Sequence, residues 1–186
     1  RAMVRTPETR VPRARTPAID AHNHLGRWLS GWVGRPGEWV VPDVPALLHL
    51  MDTVDVAAIV NLDGRSGEEL EANLERYDRA HPGRFATFCH ADWLQLADGA
   101  MGVARIVASL RASRDAGARG LKVWKDLGLH LRDAGGAVVM PDDTRLDPVW
   151  DAVATAGVPV TIHVADPVAF FRPLDAPHRR HGWATA

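Results

Sequence analysis

The stretch AIDAHNHLG, residues 18–26, sets an aspartate and two histidines at every second position where a short apolar run ends. Side chains alternate along a strand, so Asp20, His22 and His24 are expected on one face, neighbouring members about 6.6 Å apart along the chain. Both imidazoles then reach one metal ion at about 2.0 to 2.1 Å. Asp20 either holds a ligand histidine by its second ring nitrogen or touches the ion itself. A solvated strand end with helix-capping polar residues explains this stretch equally well. Nine histidines in 186 residues give roughly 0.4 His-x-His pairs by chance, so the remainder of the chain has to decide.

Outward from this strand, at 17–24, four more β-prone runs follow: VAAIVNLD at 56–63, RFATFCHA at 84–91, RGLKVWK at 119–125 and VPVTIHVA at 158–165. Their starts lie roughly 28 to 39 residues apart, the length of a strand plus a crossover helix. Helical segments fill the gaps. DVPALLHLMDTVD has Pro in its first turn and Leu47, Leu48, Leu50 and Met51 on one expected apolar side. SGEELEANLERYDRAHPG opens with a Ser cap and early acids, while GVARIVASLRASRDAG and LDPVWDAVATAG both stop at Gly. Repeated strand–helix alternation implies an α/β fold with a parallel sheet and right-handed crossovers, either doubly wound or part of a (β/α)8 barrel. No Gly-x-Gly-x-x-Gly follows any strand, and polar residues gather where the strands end, which favours the TIM-type barrel.

The composition is that of one ordinary globular unit, 46% hydrophobic and 24% charged with a net charge of -1. Interspersed charge argues against a nucleic-acid surface, and apolar runs of five to eight residues are far short of a membrane span. A small-molecule partner is expected instead. Residues 1–16 read as an irregular Arg- and Pro-rich arm without the apolar centre of a signal peptide, so a cytoplasmic location is expected over secretion. The single cysteine, Cys89, excludes an internal disulfide and reads as a buried, inert thiol.

Further side chains bear on the histidine pair. In VPVTIHVADP, Val160, Ile162 and Val164 form a helix-facing side, leaving Thr161 and His163 to point the other way, toward the interior that His22 and His24 face. Lys122 lies inside the apolar run GLKVW, where a buried lysine is costly unless paired or neutralised. Three roles suit it: a carbamate bridging two metals, an ion pair with a carboxylate such as Asp20, or direct contact with substrate. Asn61, Asp63, His90, Trp124, Lys125 and Asp166, at or just after the strand ends, are candidates to shape the substrate pocket, although each taken alone fits a turn, a cap or core packing equally well. Phe170 and Phe171 could add apolar walls.

In combination, IDAHNHLG, GLKVWKDLGL and VTIHVADP resemble the metal-dependent amidohydrolase superfamily, specifically its amidohydrolase-related branch, which also contains decarboxylases and lactonases. The resemblance spans residues 17 to about 183. It implies that His22, His24 and His163 bind a divalent metal, with Lys122 where some members carry a carboxylated lysine. Zinc is expected first, with manganese, iron and cobalt as alternatives and one or two ions bound. Members have eight strands, with a further histidine on strand six and a proton-transferring aspartate ending strand eight. Residues 17–186 therefore read as a partial barrel of about five βα units, the amino-terminal portion of a longer enzyme that could form homo-oligomers. The activity implied is hydrolysis of a small amide, lactone or ester by metal-activated water. Two alternatives stand beside it: non-oxidative decarboxylation on the same scaffold, and a non-catalytic fragment that associates with another chain.

Overall fold

In the computed structural model, which describes residues 11–163, helices separate successive strands except for two that follow one another directly, Phe85–Thr87 and Cys89–His90. The strands are β1 (Ala18–Asn23), β2 (Val56–Asn61), β3 (Phe85–Thr87), β4 (Cys89–His90), β5 (Leu121–Val123) and β6 (Val160–Ile162). The helices are α1 (Val44–Val54), α2 (Gly67–Asn73, running on as a wider turn over Leu74–Arg79), α3 (Gly99–Ala116) and α4 (Asp147–Ala156). All strand pairs are parallel, in two three-stranded sheets ordered β1-β2-β3 and β4-β5-β6. The fold is thus α/β with parallel sheets, and among the described residues it does not close into a barrel.

One expected strand, 84–91, is divided in two. Only Phe88 separates β3 from β4, and its N–H donates to the Asn61 carbonyl on one side while the next N–H, of Cys89, donates to the Gly120 carbonyl on the other. The same stretch of backbone therefore passes from β2 to β5, so five strand lines run side by side in sequence order. β1 also departs from strict alternation. Asp20 pairs with Ile59 and Asn23 with Asn61, so three steps on β1 face two on β2. Such a bulge twists the strand and changes which way the following side chains point.

The helices start and stop where their residues dictate. Asp43 caps α1 by accepting from the Ala46 N–H at 2.9 Å, and Asp55 ends it in the left-handed region at φ 63°. Ser66 occupies the cap position of α2 without making the expected side-chain bond; Glu68 and Glu69 in the first turn complement the helix dipole instead. Met51 is buried, yet Leu50, expected on the same side of α1, is 58% exposed. At 100° per residue it lies on the flank of the face that Val44, Leu47, Leu48 and Met51 turn inward.

Two apolar clusters hold the layers together. Leu70, Leu74, Ile106, Leu110, Leu121, Val123, Val149 and Val153 join α2, α3 and α4 to β5. Leu25, Met51, Ile59, Tyr77 and Phe85 bind α1 and the α2 extension to β2 and β3. Each fully buried Leu, Val or Phe contributes about 1.5–3 kcal/mol. Residues 11–17, by contrast, have no regular structure and are tied by the Ala14 N–H to the Val54 carbonyl at 3.0 Å. Because the strands are parallel, residues that follow them emerge at one common edge: His24 after β1, Asp63 after β2, Trp124 after β5 and His163 after β6.

Candidate active site

At that edge the side chains of His22, His24, Trp124, His163 and Lys122 form one continuous group. The His22 and His24 rings meet edge to face with centroids 5.5 Å apart. The Trp124 indole contacts His24 at 5.1 Å and His163 at 5.9 Å, and Lys122 Nζ lies 5.4 Å from the centre of the same indole. Burial lowers the pKa of His22, with help from nearby Lys122; burial, His22 and Lys122 push His24 down to about 4. These imidazoles are neutral at physiological pH, the form that binds metal.

The histidine pair fits two ligand positions on one ion. Two imidazoles sharing a metal at about 2.0–2.1 Å have ring centroids roughly 5 Å apart, and His24 Nδ1 is buried without a hydrogen-bond partner. Among the described residues, however, no group of three His, Cys, Asp or Glu side chains is placed to hold an ion. The expected direct convergence of three imidazoles is not seen, since it is the Trp124 indole that touches both His24 and His163. Asp20 does not hold an imidazole either. The bulge folds its carboxylate back onto its own strand, where it accepts from the His22 N–H at 3.0 Å and from Asn23 Nδ2 at 2.8 Å.

Lys122 is 1% exposed, and its Nζ has no hydrogen-bond partner. No ion pair with Asp20 or any other carboxylate forms among the described residues, and burial alone pulls its pKa below the usual lysine range.

The other expected pocket residues separate into distinct kinds. Asn61 is wholly buried and fully engaged: Oδ1 accepts from the Leu25 and Asp63 N–H groups, and Nδ2 donates to Asn73 Oδ1 and Thr87 Oγ1. His90 donates from Nε2 to the Leu62 carbonyl at 2.8 Å and accepts at Nδ1 from Arg65 at 3.3 Å, so neither ring nitrogen is left over. Burial is the main cause that drops its pKa to about 4. Asp63 is 0% exposed with neither carboxylate oxygen hydrogen-bonded, and desolvation raises it to about 7. The nearby Arg65 charge and the Trp28 and Leu29 N–H groups, which fall short of hydrogen-bond geometry, hold that rise back. Gly26 permits this close packing, because a Cβ there would stand 2.5 Å from Asp63 Oδ2. Lys125 is half-buried just beyond β5, while Asp166, Phe170 and Phe171 lie outside the described residues. Cys89 is buried as expected, and desolvation pushes its thiol up to about 11.

Two residues without an expected role complete the wall. Trp28, in the loop after β1, packs edge to face on Trp124 at 5.3 Å and on His90 at 6.1 Å. Arg65 stacks its guanidinium 4.4 Å from the Trp28 ring centre. A left-handed backbone, at φ 59°, accompanies that placement and is uncommon for a residue with a side chain. The available sequence signal was weak: an Arg directly after Asp-Gly at a strand end, and a Trp in a loop that already contains several.

Comparison with solved structures finds a likeness to 2,6-dihydroxybenzoate decarboxylase from Rhizobium, with a TM-score of 0.55 and 17% sequence identity. The match covers 82% of this chain and 51% of that one, so this chain spans about half the length of the decarboxylase. At this identity the likeness is one of fold. No protein-family profile matches the chain, and no curated protein matches it. Among the described residues no helix is long and apolar enough to cross a membrane.

Proposed function

We propose that this chain forms the amino-terminal part of a (β/α)8 metal-dependent enzyme of the amidohydrolase-related type, acting on the carbonyl or carboxyl carbon of a small substrate. The observation that carries this reading is the gathering of His22, His24, His163 and Lys122 around Trp124 at the common strand edge. His22 and His24 would hold a divalent ion, zinc first, with His163 as the next candidate ligand. When bound, that ion supplies a Lewis acid able to polarise a substrate oxygen.

Non-oxidative decarboxylation is the reaction we favour, with hydrolysis as the second reading. Decarboxylation leaves an electron pair on the carbon that loses carbon dioxide, where a proton from water replaces it, and a cationic group beside that carbon stabilises the charge as it forms. Trp28, itself 43% exposed, and Trp124 give the site an aromatic wall, while Lys122 adds a buried amine with no hydrogen-bond partner. The fold likeness to a decarboxylase supports the same choice. His90, neutral and tied at both ring nitrogens, fixes the wall behind Trp28 and takes no part in proton transfer.

Metal content by elemental analysis, before and after His22→Ala with His24→Ala, tests the site. The expected result is at least one zinc or manganese ion per chain in the parent protein and a large loss in the double variant. Equal metal content in the two would overturn the assignment. Assays of carbon dioxide release from carboxylic acids, run beside amide and lactone hydrolysis, then separate the two reactions.

A further inference from the structure

Asp63, just after β2, is 0% exposed, and neither of its carboxylate oxygens has a hydrogen-bond partner. The loop that follows β1 passes directly over it. Gly26 leaves room for that approach, since a Cβ there would stand 2.5 Å from Asp63 Oδ2 and 2.7 Å from the Asp63 carbonyl oxygen. Two successive N–H groups of the same loop, those of Trp28 and Leu29, lie beside the carboxyl just outside hydrogen-bond geometry. The base of the loop is fastened. The Leu25 N–H donates to Asn61 Oδ1 at 3.0 Å, the Leu25 carbonyl accepts from the Tyr77 hydroxyl at 2.8 Å, and the Gly26 carbonyl accepts from the Val40 N–H at 3.1 Å. Past that base, the Trp28 ring meets Trp124 and His90 edge to face and carries Arg65 on its face.

We propose that Asp63 is a positioning residue: its ionised carboxylate is the seat onto which the Trp28 and Leu29 N–H groups close, and this seat sets the stance of Trp28 in the wall of the histidine site. Successive backbone N–H groups form a concavity that suits an anion. A buried carboxylate without donors is costly, and these two donors are beside it. The neutral acid holds them more weakly, because a hydrogen bond to a charged group is the stronger one. Such a bond also outweighs a single edge-to-face ring contact, so the Trp28 ring follows its backbone. Burial holds the Asp63 carboxyl at about 7, so both forms are populated around neutrality. Two charges face it: Arg65 on its own loop favours ionisation, and Glu69 on α2, itself paired with Arg27, opposes it. Burial keeps the nearby Tyr77 hydroxyl neutral. Raising the pH through about 7 therefore seats the loop, and lowering it releases the loop. The seat does not rest on the proposed enzyme activity, although its effect on a substrate does.

The test follows proton–nitrogen correlation spectra of the full chain from about pH 5.5 to about pH 8.5, a range that brackets the titration. The amide protons of Trp28 and Leu29 are expected to move downfield as the pH rises, and the Trp28 indole N–H to shift with the same midpoint, at about 7. Asp63→Asn should leave all of these resonances flat across the range. Unchanged titration curves in Asp63→Asn, or flat ones in the parent, would overturn the proposal. Amides that titrate while the indole stays still would overturn it too, since the ring would not follow the backbone. If Asp63→Asn does not fold, Arg65→Gln decides. Removing that cation should raise the shared midpoint, which upholds the proposal, whereas an unmoved midpoint assigns the titration to another group and overturns it. A parent protein that binds no metal but keeps the titration would sink the metal-dependent reading and leave the seat standing.

Discussion

Asn61, on β2, and Lys122, on β5, are both buried polar side chains, and they are treated in opposite ways. Every hydrogen-bonding position of Asn61 is filled from within the fold, by Leu25, Asp63, Asn73 and Thr87. None of the donors of Lys122 is filled, although it is 1% exposed. A buried polar group that is satisfied holds structure together, whereas one left unsatisfied costs stability and calls for another reason to be there. The contrast divides the strand-end residues into a satisfied set, Asn61 and His90, and an unsatisfied remainder, His24, Asp63 and Lys122.

The sharpest way to break this division is a pair of truncations. Asn61→Ala strands the Leu25 and Asp63 N–H groups and Asn73 Oδ1, and should cost about 3 kcal/mol or more in chemical denaturation. Lys122→Met removes a buried charge with no partner and should leave stability unchanged or raise it. If the lysine variant proved the more damaged of the two, Lys122 and not Asn61 would be the residue that holds the fold.

Asp63 sharpens the comparison through pH. Its folded carboxyl titrates near 7, above the ordinary 3.8, because of burial. Between those values the unfolded chain has released a proton that the folded chain still holds, so this group lowers stability as pH rises from about 4 to about 7. Asp63→Asn removes the effect. Its stability relative to the parent should therefore climb through that window by up to about 1.4 kcal/mol per pH unit and flatten above it. A difference that does not vary with pH would mean that the carboxyl is ionised and partnered in solution.

The smallest effect belongs to α1. Leu50→Ala, on the exposed flank, should change stability by less than about 0.5 kcal/mol, against about 2–4 kcal/mol for Met51→Ala beside it. Comparable losses would show that something covers Leu50.

Much of the frame was legible in the residues alone. Five apolar runs, spaced by a crossover length and separated by capped, amphipathic segments, predict parallel strands in sequence order, and that order is found. Parallel strands also bring their carboxyl ends to one edge, which is why His22, His24, His163, Lys122 and Trp124 could be named together. Period-2 alternation says which face a side chain leaves from, although the bulge between Asp20 and Asn23 interrupts it just where His22 and His24 follow.

What the sequence could not determine was who touches whom once there. The bulge between Asp20 and Asn23 depends on register against β2, and there the Asp20 carboxylate accepts from the His22 N–H and Asn23 Nδ2 instead of from an imidazole. Trp124 meeting both His24 and His163, Arg65 stacked on Trp28, and Asn61 used up internally all join residues far apart in the chain. Local periodicity follows from backbone geometry shared by all chains, so it can be read from sequence. Hydrogen-bond satisfaction is a property of the assembled neighbourhood, so only the tertiary structure decided that Asn61 is scaffold and that Lys122 is left waiting.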